Sequence, residues 1–382
     1  MRIALGTIPF GTTVSEKDTF AILDRFVEAG GRMLDTADNY PFWEPGRTGD
    51  ESELAIGAWL AARGNRDQVY LSTKVGARPT VPGDVTLDSA EGLSAAAIRT
   101  AIEGSLRRLG TDRVDLYWAH IEDRSVPLEE TLGTFEELVQ AGRALAIGAS
   151  NLPAWRLERA RNVSAAHGWT PYTHLQLRHT YLRPRPYTKL VESGHTLTTD
   201  EHLGYLEDTG VTLWAYNTLM FGAYTREDRP IPDIYHHPGT TRRLEVLHQV
   251  ARELGATPNQ VVLAWLLADG HVPIVGVSSM AQLEEAIAAT ELKLDDDLKS
   301  RLDTQLNAGG PGREIKLGAC SSRPASPSCS GPTTACASTP RTPLPPGARR
   351  GTSASWWRTG SPARGGSGPP GGSCTCSART AG

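Results

Sequence analysis

The chain has 382 residues, 39% of them hydrophobic and 21% charged, and a formal net charge of −4. This near-neutral balance argues against nucleic acid or an anionic membrane as a partner. No apolar run approaches the roughly 20 residues that span a bilayer. No secretory signal is present, and the five Cys have no zinc-site spacing. We therefore expect a cytoplasmic protein without a disulfide framework or a metal site.

Strand-like and helix-like segments alternate from the first residues onward. The predicted strands cover residues 2–8, 32–35, 69–74, 114–119, 144–150, 174–176, 211–216 and 273–277. The predicted helices cover residues 15–30, 51–63, 94–109, 129–141, 153–167, 199–209, 240–254, 257–268, 280–289 and 295–306. The start of the first helix resembles a capping box formed by Ser15 and Asp18, and Thr257 resembles an N-cap followed by Pro258.

Eight strand–helix units in succession favour parallel strand pairing. They predict an α/β fold, a closed (β/α)₈ TIM barrel over residues 1–317, with residues 295–306 as an extra C-terminal helix. The alternative is an open, doubly wound sheet. That fold would need a glycine-rich dinucleotide turn after its first strand, and residues 6–11 do not form one. The sequence therefore favours the barrel.

Residues 318–382 differ in composition from the rest of the chain. They contain no Asp, Glu, Lys, Ile, Val, Met, Phe or Tyr, yet they hold seven Arg and all five Cys. Such a segment has too little apolar surface to offset the entropy of ordering, so we predict a low-complexity, disordered tail. Three origins of this segment are open: a natural disordered linker or tail, the product of a shifted reading frame in GC-rich DNA, and a charged tail that binds RNA or a membrane.

Four polar residues follow three successive predicted strands: Asp35 and Tyr40, then Lys74, then His120. In an α/β barrel these strand ends meet at the catalytic face. Reduction of a carbonyl group needs a hydride and a proton, and a neighbouring ammonium lowers the pKa of a phenol that donates the proton. We predict Tyr40 as the proton donor, tuned by Lys74 and Asp35, with His120 as a neutral donor that polarises the carbonyl.

Each of these four residues also has an ordinary structural explanation when it is considered alone. Asp35 suits a loop cap, Tyr40 a rim aromatic, Lys74 a solvated strand end and His120 a satisfied histidine. Their joint placement on consecutive strand ends favours the catalytic interpretation.

Several short motifs recur in order along the predicted barrel. They are Asp35-Thr36-Ala37-x-x-Tyr40, Glu53-Leu54-Ala55-Ile56-Gly57, Thr73-Lys74-Val75-Gly76, Asp115-Leu116-Tyr117, His120, Ile147-Gly148-Ala149-Ser150-Asn151 and Pro273-Ile274-Val275-Gly276-Val277-Ser278-Ser279. Together they resemble the signature of the aldo-keto reductases over residues 1 to about 305. The resemblance implies a (β/α)₈ enzyme that uses NADPH to reduce an aldehyde or ketone to an alcohol, with Tyr40 as the acid.

The resemblance also implies cofactor-binding residues. By matching position to position, Ser150, Asn151 and Gln176 bind the nicotinamide carboxamide, and Tyr216 stacks on that ring. From the residues alone, Tyr216 would be interpreted as an aromatic residue at a strand end, and Gln176 as a polar residue on an edge strand. The same matching assigns the loop that holds the pyrophosphate to Asn217, Leu219 and Gly222. It assigns a phosphate site to Ser278 and Ser279. The remaining cofactor contacts are assigned to Thr7, Asp35, Gln282 and Glu285.

The chain departs from the family pattern in three places. Gln282 stands where many relatives have an Arg against the 2′-phosphate, and Gly276 stands where some have Lys. The resemblance implies that NADP(H) is preferred, but these two positions predict only modest selectivity, with NAD(H) as a possible cofactor. The family's N-terminal hairpin is missing, which leaves open a start upstream of Met1. The C-terminal loop that shapes the substrate pocket in relatives is replaced by the tail.

Aromatic residues are expected to line the substrate side: Phe42, Trp43 and Trp118, with the loop at residues 221–237. Such a mouth fits an apolar or a sugar-like small-molecule carbonyl compound. The pair His236-His237 in that loop has no metal-ligand spacing, and the oligomeric state is left open. The alternatives to a reductase are a cofactor-binding regulatory subunit with little turnover and a damaged gene product.

Overall fold

The computed structural model describes residues 1–188, 190 and 194–304. Within them, eight strands alternate with helices. The strands are β1 (Ala4–Gly6), β2 (Met33–Asp35), β3 (Tyr70–Val75), β4 (Val114–Ala119), β5 (Ala144–Ser150), β6 (His174–Arg178), β7 (Thr212–Tyr216) and β8 (Val272–Gly276). The α-helices are α1 (Glu16–Glu28), α2 (Glu51–Arg63), α3 (Ala95–Leu109), α4 (Leu128–Gln140), α5 (Ala154–His167), α6 (Asp200–Thr209), α7 (Pro238–Leu254), α8 (Pro258–Ala268), α9 (Met280–Ala289) and α10 (Asp296–Thr304).

The sheet is a closed barrel. Each strand pairs in parallel with the next strand along the chain, and β8 pairs with β1. Both α7 and α8 lie between β7 and β8, and α10 packs against α7. The prediction of a (β/α)₈ barrel with an extra C-terminal helix is confirmed.

Successive residues of a strand face opposite sides of the sheet, so the barrel has an inner and an outer apolar layer. The outer layer packs strand residues such as Leu71, Ile147 and Leu213 against the helices. The inner layer fills the barrel with Ala4, Leu116, Trp118, Trp214, Val272 and Ile274. Because the interior is filled, polar chemistry is confined to the rim where the strands end.

The helix starts follow the capping signals in the sequence, with one difference. Thr257 and Gln260 form both halves of a capping box before α8, at 3.2 and 2.9 Å. Before α1, Ser15 Oγ accepts a hydrogen bond from the Asp18 N–H at 3.1 Å, but it donates to the Asp18 carboxylate at 2.8 Å. The reciprocal bond of the expected box is absent there, because the Asp18 side chain is engaged by the hydroxyl itself.

Most predicted bounds agree with the structure within two residues. The first strand is shorter than predicted, because only residues 4–6 pair with β2 and β8. Strand β6 continues to Arg178, where it pairs with Tyr216 of β7. The predicted helix end at residue 306, the domain boundary at 317 and the tail at 318–382 lie outside the described residues.

Within the described residues, two features bear on the expected partners: membrane-crossing helices and clusters of metal ligands. No helix in this part of the chain has both the length and the apolar character needed to cross a membrane. Nor does it contain a group of three or more His, Cys, Asp or Glu placed to hold a metal ion.

Candidate active site

A buried ion pair lies at the centre of the rim. Lys74 Nζ, at the end of β3, donates to Asp35 Oδ2 at 2.7 Å and to the Thr36 carbonyl at 2.6 Å. Asp35 Oδ1 accepts hydrogen bonds from Ser72 Oγ at 2.8 Å and from Gln176 Nε2 at 3.2 Å. Lys74 is fully buried and Asp35 is 3% exposed. The carboxylate is therefore held by three donors, as a buried charge requires.

Tyr40 stands above this pair in the loop that follows β2. Its hydroxyl lies 3.5 Å from His120 Nε2, and Lys74 Nζ lies 4.8 Å from the centre of its ring. Burial, followed by the negative charge of Asp35, raises the pKa of Tyr40 well above its usual value. We expected a lowered pKa because of Lys74, but burial and the nearby carboxylate dominate, so the net shift is upward. The Lys74 ammonium donates to Asp35 and to the Thr36 carbonyl and lies over the Tyr40 ring.

His120 is neutral in this environment. Burial, followed by the charges of Lys74 and His195, holds the pKa of His120 well below its usual value. Its Nδ1 is buried and has no hydrogen-bond partner among the described residues, while Nε2 faces Tyr40. The backbone positions the ring, because the His120 N–H donates to the Val75 carbonyl at 2.8 Å. The expectation of a neutral imidazole agrees with this geometry.

Four of the residues assigned to the nicotinamide side form one connected network on β5, β6 and β7. Tyr216 donates its hydroxyl proton to Asn151 Oδ1 at 2.8 Å. Asn151 Nδ2 donates to Ser150 Oγ at 3.0 Å and to the His120 carbonyl at 3.1 Å. Ser150 Oγ donates to the Gln176 carbonyl at 3.1 Å. Asn151 has a left-handed backbone (φ 58°), a conformation that Asn tolerates better than most residues.

The residues assigned to the phosphate side lie in two segments. After β7, a loop contains several left-handed residues, including Asn217 (φ 55°) and Gly222 (φ 91°), with Leu219 between them. After β8, Ser279 caps α9 by accepting from the Gln282 N–H at 3.4 Å. A helix start of this kind presents backbone N–H groups that favour an anion.

Side-chain contacts at the start of α9 bear on cofactor choice. Gln282 Oε1 accepts hydrogen bonds from the Ser278 N–H at 2.7 Å and from Ser278 Oγ at 3.1 Å. Glu285 Oε1 accepts from Thr257 Oγ1 at 2.6 Å, and Asn259 Nδ2 donates to both of its carboxylate oxygens. Gln282 is thus held near the helix start by hydrogen bonds from uncharged donors of Ser278.

Thr7 does not lie on the binding surface. Its side chain is fully buried, donates to the Asp35 carbonyl at 3.0 Å and contacts Ser52 Oγ at 2.8 Å. Ser52 also contacts Thr36 Oγ1 at 2.9 Å. These three hydroxyls support the end of β2 from behind, so Thr7 positions Asp35 instead of offering its side chain to a cofactor.

The aromatic residues divide into a rim pair and a floor. Trp43 meets Tyr40 and Phe42 edge to face, with ring centres 5.8 and 5.3 Å apart. Trp118 is fully buried in the inner layer, 5.5 Å from Trp214. The prediction that Trp118 lines the substrate mouth is therefore wrong. Its side chain faces the barrel interior one layer below His120, because residues two apart on a strand share a face.

The structure adds three residues to the site whose roles the sequence pattern did not indicate. Ser72 and Thr36 hold Asp35 and Lys74, and Asp38 lies fully buried two residues before Tyr40. The period of two along β3 could have identified Ser72, since it shares the inward face with Lys74. No local signal could have identified the contact through the Thr36 backbone carbonyl.

The described site combines a phenol, a neutral imidazole and a buried ion pair at the carboxyl rim of a (β/α)₈ barrel, the arrangement of a barrel enzyme that transfers protons. The Aldo/keto reductase family model matches residues 2–306, and the chain belongs to this family. The family resemblance inferred from the motifs is confirmed.

Characterised and uncharacterised relatives cover most of the chain. It is 31% identical over 324 residues to "Uncharacterized oxidoreductase YrpG" of Bacillus subtilis (strain 168), covering 82% of this chain and 94% of that protein. It is 30% identical over 315 residues to norsolorinic acid reductase stcV of Emericella nidulans, covering 77% and 75%. The crystal structure of the thermostable aldo-keto reductase Tm1743 with the inhibitor epalrestat matches with a TM-score of 0.62 and 26% identity, covering 80% of this chain and 95% of that one.

The protein is an NAD(P)H-dependent oxidoreductase that reduces small-molecule carbonyl compounds, as membership of this family indicates. The donor set of the rim fits a nicotinamide nucleotide. It offers amide and hydroxyl groups at Ser150, Asn151 and Gln176, the ring of Tyr216, and a helix start at Ser279 for a phosphate.

Proposed function

We propose that the protein reduces an aldehyde or ketone to an alcohol, with NADP(H) preferred over NAD(H) and with Tyr40 as the proton donor. The observation that carries this proposal is the position of the Tyr40 hydroxyl. It lies 3.5 Å from the Nε2 of a neutral His120 and close to the buried Asp35–Lys74 pair. A carbonyl oxygen placed against both groups could receive a proton from one and a hydrogen bond from the other.

The nucleotide would be held by Ser150, Asn151 and Gln176 at its nicotinamide end, with Tyr216 beneath the ring. Its phosphates would lie at the loop from Asn217 to Gly222 and at the start of α9. When bound, the nucleotide supplies the hydride, and this is the chemistry that the protein side chains lack.

The protein's own part is proton delivery and orientation. Because the pKa of Tyr40 is raised, the phenol keeps its proton until negative charge develops on the substrate oxygen. The phenolate then formed lies near the Lys74 ammonium, whose charge is kept in place by Asp35. His120, with its proton on Nε2, orients the carbonyl without competing as an acid, since its pKa is depressed.

The Tyr40→Phe variant tests the assignment of the proton donor. The substitution removes one hydroxyl and should lower kcat for an aromatic aldehyde about 10²- to 10⁴-fold, the usual worth of a general acid. Nucleotide affinity, measured by quenching of protein fluorescence, should stay within about twofold, because the phenol acts in the transition state. Tyr205→Phe is the matched control, since Tyr205 lies on α6 and its hydroxyl donates to Glu158 of α5 at 2.8 Å in an exposed hydrogen bond. Retention of wild-type kcat in Tyr40→Phe would refute the proposal.

A further inference from the structure

Asp38 is a buried carboxyl group close to Tyr40. It lies in the loop between β2 and α2, two residues before Tyr40, and its side chain is fully buried. Neither of its oxygens accepts a hydrogen bond from an N–H or O–H donor of the described residues. An ionised carboxylate in such a position would be both desolvated and without donors, which is a strongly unfavourable state.

The carboxyl group of Glu91 is the neighbour that can serve as a hydrogen-bond partner for the Asp38 carboxyl. It lies within hydrogen-bonding reach of the Asp38 carboxyl. Glu91 Oε1 accepts the Gly76 N–H at 2.8 Å, so Glu91 has a donor of its own and Asp38 has none. Two carboxyl groups in contact form a hydrogen bond only if one of them carries a proton. Burial, followed by the charge of Glu91, raises the pKa of Asp38 well above its usual value.

The cations that surround Asp38 are committed to other partners. Arg78 donates to the Asp38 backbone carbonyl and pairs with Asp50 at 2.8 Å, so it reaches the main chain of Asp38 and not its carboxyl. Arg108 pairs with the buried Glu53 at 2.6 Å.

Two more titratable groups face Asp38 from the neighbouring strands. Lys74 is paired with Asp35. The buried hydroxyl of Tyr117, on β4, has no partner among the described residues. A proton on Asp38 is thus the remaining way to neutralise this position.

We propose that Asp38 and Glu91 share one proton, and that this proton keeps a negative charge away from Tyr40 while Tyr40 gives up its own proton. The inference rests on the proposed role of Tyr40 as the acid. Asp38 does not touch the substrate; it is a positioning residue that sets the electrostatic surroundings of the phenol. The shared proton stays between the two carboxyl groups throughout the reaction.

The direction of the effect follows from charge. When Tyr40 donates its proton, negative charge develops on the phenolic oxygen, and an ionised Asp38 would oppose it. A protonated Asp38 removes this opposition. Conditions or substitutions that ionise Asp38 should therefore slow carbonyl reduction without weakening nucleotide binding.

Two isosteric substitutions should have unequal effects. In Glu91→Gln the amide can donate to Asp38 and so favours its ionised form, and kcat at neutral pH should fall about tenfold. In Asp38→Asn the group cannot ionise and can still donate to Glu91. This variant should therefore be faster than Glu91→Gln, and its loss of activity at alkaline pH should move upward. The double variant should recover the rate of Asp38→Asn. Glu137→Gln, on the exposed face of α4, is the matched control.

Infrared spectroscopy gives a readout that does not depend on turnover. At neutral pH the wild-type protein should show the carbonyl stretch of a protonated carboxyl group, lost in both Asp38→Asn and Glu91→Gln. Absence of this band from the wild type would overturn the proposal whether or not the variants fold. Equal slowing in the two single variants, with no recovery in the double variant, would show that the pair is only structural. Wild-type activity in Tyr40→Phe would instead refute the proposed function, and the band would still report on the pair.

Discussion

Replacement of Lys74 by Met removes one member of an ion pair that the barrel buries almost completely. The side chains of Lys74 and Asp35 are 0% and 4% exposed, and Nζ also donates to the Thr36 carbonyl. Met fills nearly the same volume but provides no donor. Asp35 would keep Ser72 and Gln176 as partners, yet its charge would be left without a counter-ion.

The expected cost follows from this burial. Removal of one partner from a buried ion pair destabilises a protein by about 3–5 kcal/mol, because the remaining charge is uncompensated. The exposed pair Arg99–Glu137 provides a matched control, since its side chains are 53% and 57% exposed. Arg99→Met should therefore cost only about 0–1 kcal/mol. Chemical unfolding followed by far-UV circular dichroism at neutral pH measures both differences.

A double variant separates stability from catalysis. Asp35→Asn added to Lys74→Met removes the stranded charge, so most of the lost stability should return. Carbonyl reduction should stay impaired, because no ammonium is left to stabilise the Tyr40 phenolate. If Lys74→Met is no more destabilised than Arg99→Met, the structural argument for a charged buried pair is refuted. If the double variant regains activity together with stability, Lys74 acts only through the fold.

Three further predictions concern the cofactor, pH dependence and the C-terminal part. Gln282→Arg should favour NADPH over NADH by about tenfold relative to wild type in fluorescence titrations, with Gln249→Arg on α7 as control. Burial holds the pKa of His179 well below its usual 6.5, so folding loses stability as the pH falls below 6.5. His179→Asn should remove about 1.4 kcal/mol per pH unit of that loss in unfolding titrations. A chain ending at Lys316 should melt within a few degrees of full length, whereas ending at residue 294 removes two buried Leu of α10 and should cost about 3–6 kcal/mol.

The fold could be predicted because the strand and helix periods are distinct in this sequence. Strands β4 and β5 have the predicted bounds, since sharp polar or glycine-containing turns flank both apolar runs. The first strand was predicted too long, because an apolar run does not show where pairing partners end. Helix α7 was predicted to start two residues late. Pro238 and Gly239 suggest a break, whereas His237 caps the helix and Pro238 occupies its first position.

The site could be predicted only as far as strand ends determine it. Parallel strands bring Asp35, Lys74 and His120 to one rim whatever their side chains do. The direction of a long side chain is a different matter. The ammonium of Lys74 is held by the Asp35 carboxylate and the Thr36 carbonyl and lies over the Tyr40 ring, and the motif does not contain these contacts. The sign of the pKa shift of Tyr40 therefore depends on three-dimensional charge placement, which a motif does not contain.

The buried charges at the rim are better explained by chemistry than by folding. Apolar residues of similar volume would often serve stability equally well in place of a buried ion pair. In this barrel Lys74 instead lies 4.8 Å from the ring of Tyr40, the phenol that we propose as the proton donor, and the charge of Asp35 opposes the lowering of the Lys74 pKa by burial. The hydroxyls of Ser72, Thr7 and Ser52 then hold Asp35 from the side and from behind. These successive layers of polar contacts place a buried charged pair next to Tyr40, the group that we propose as the proton donor.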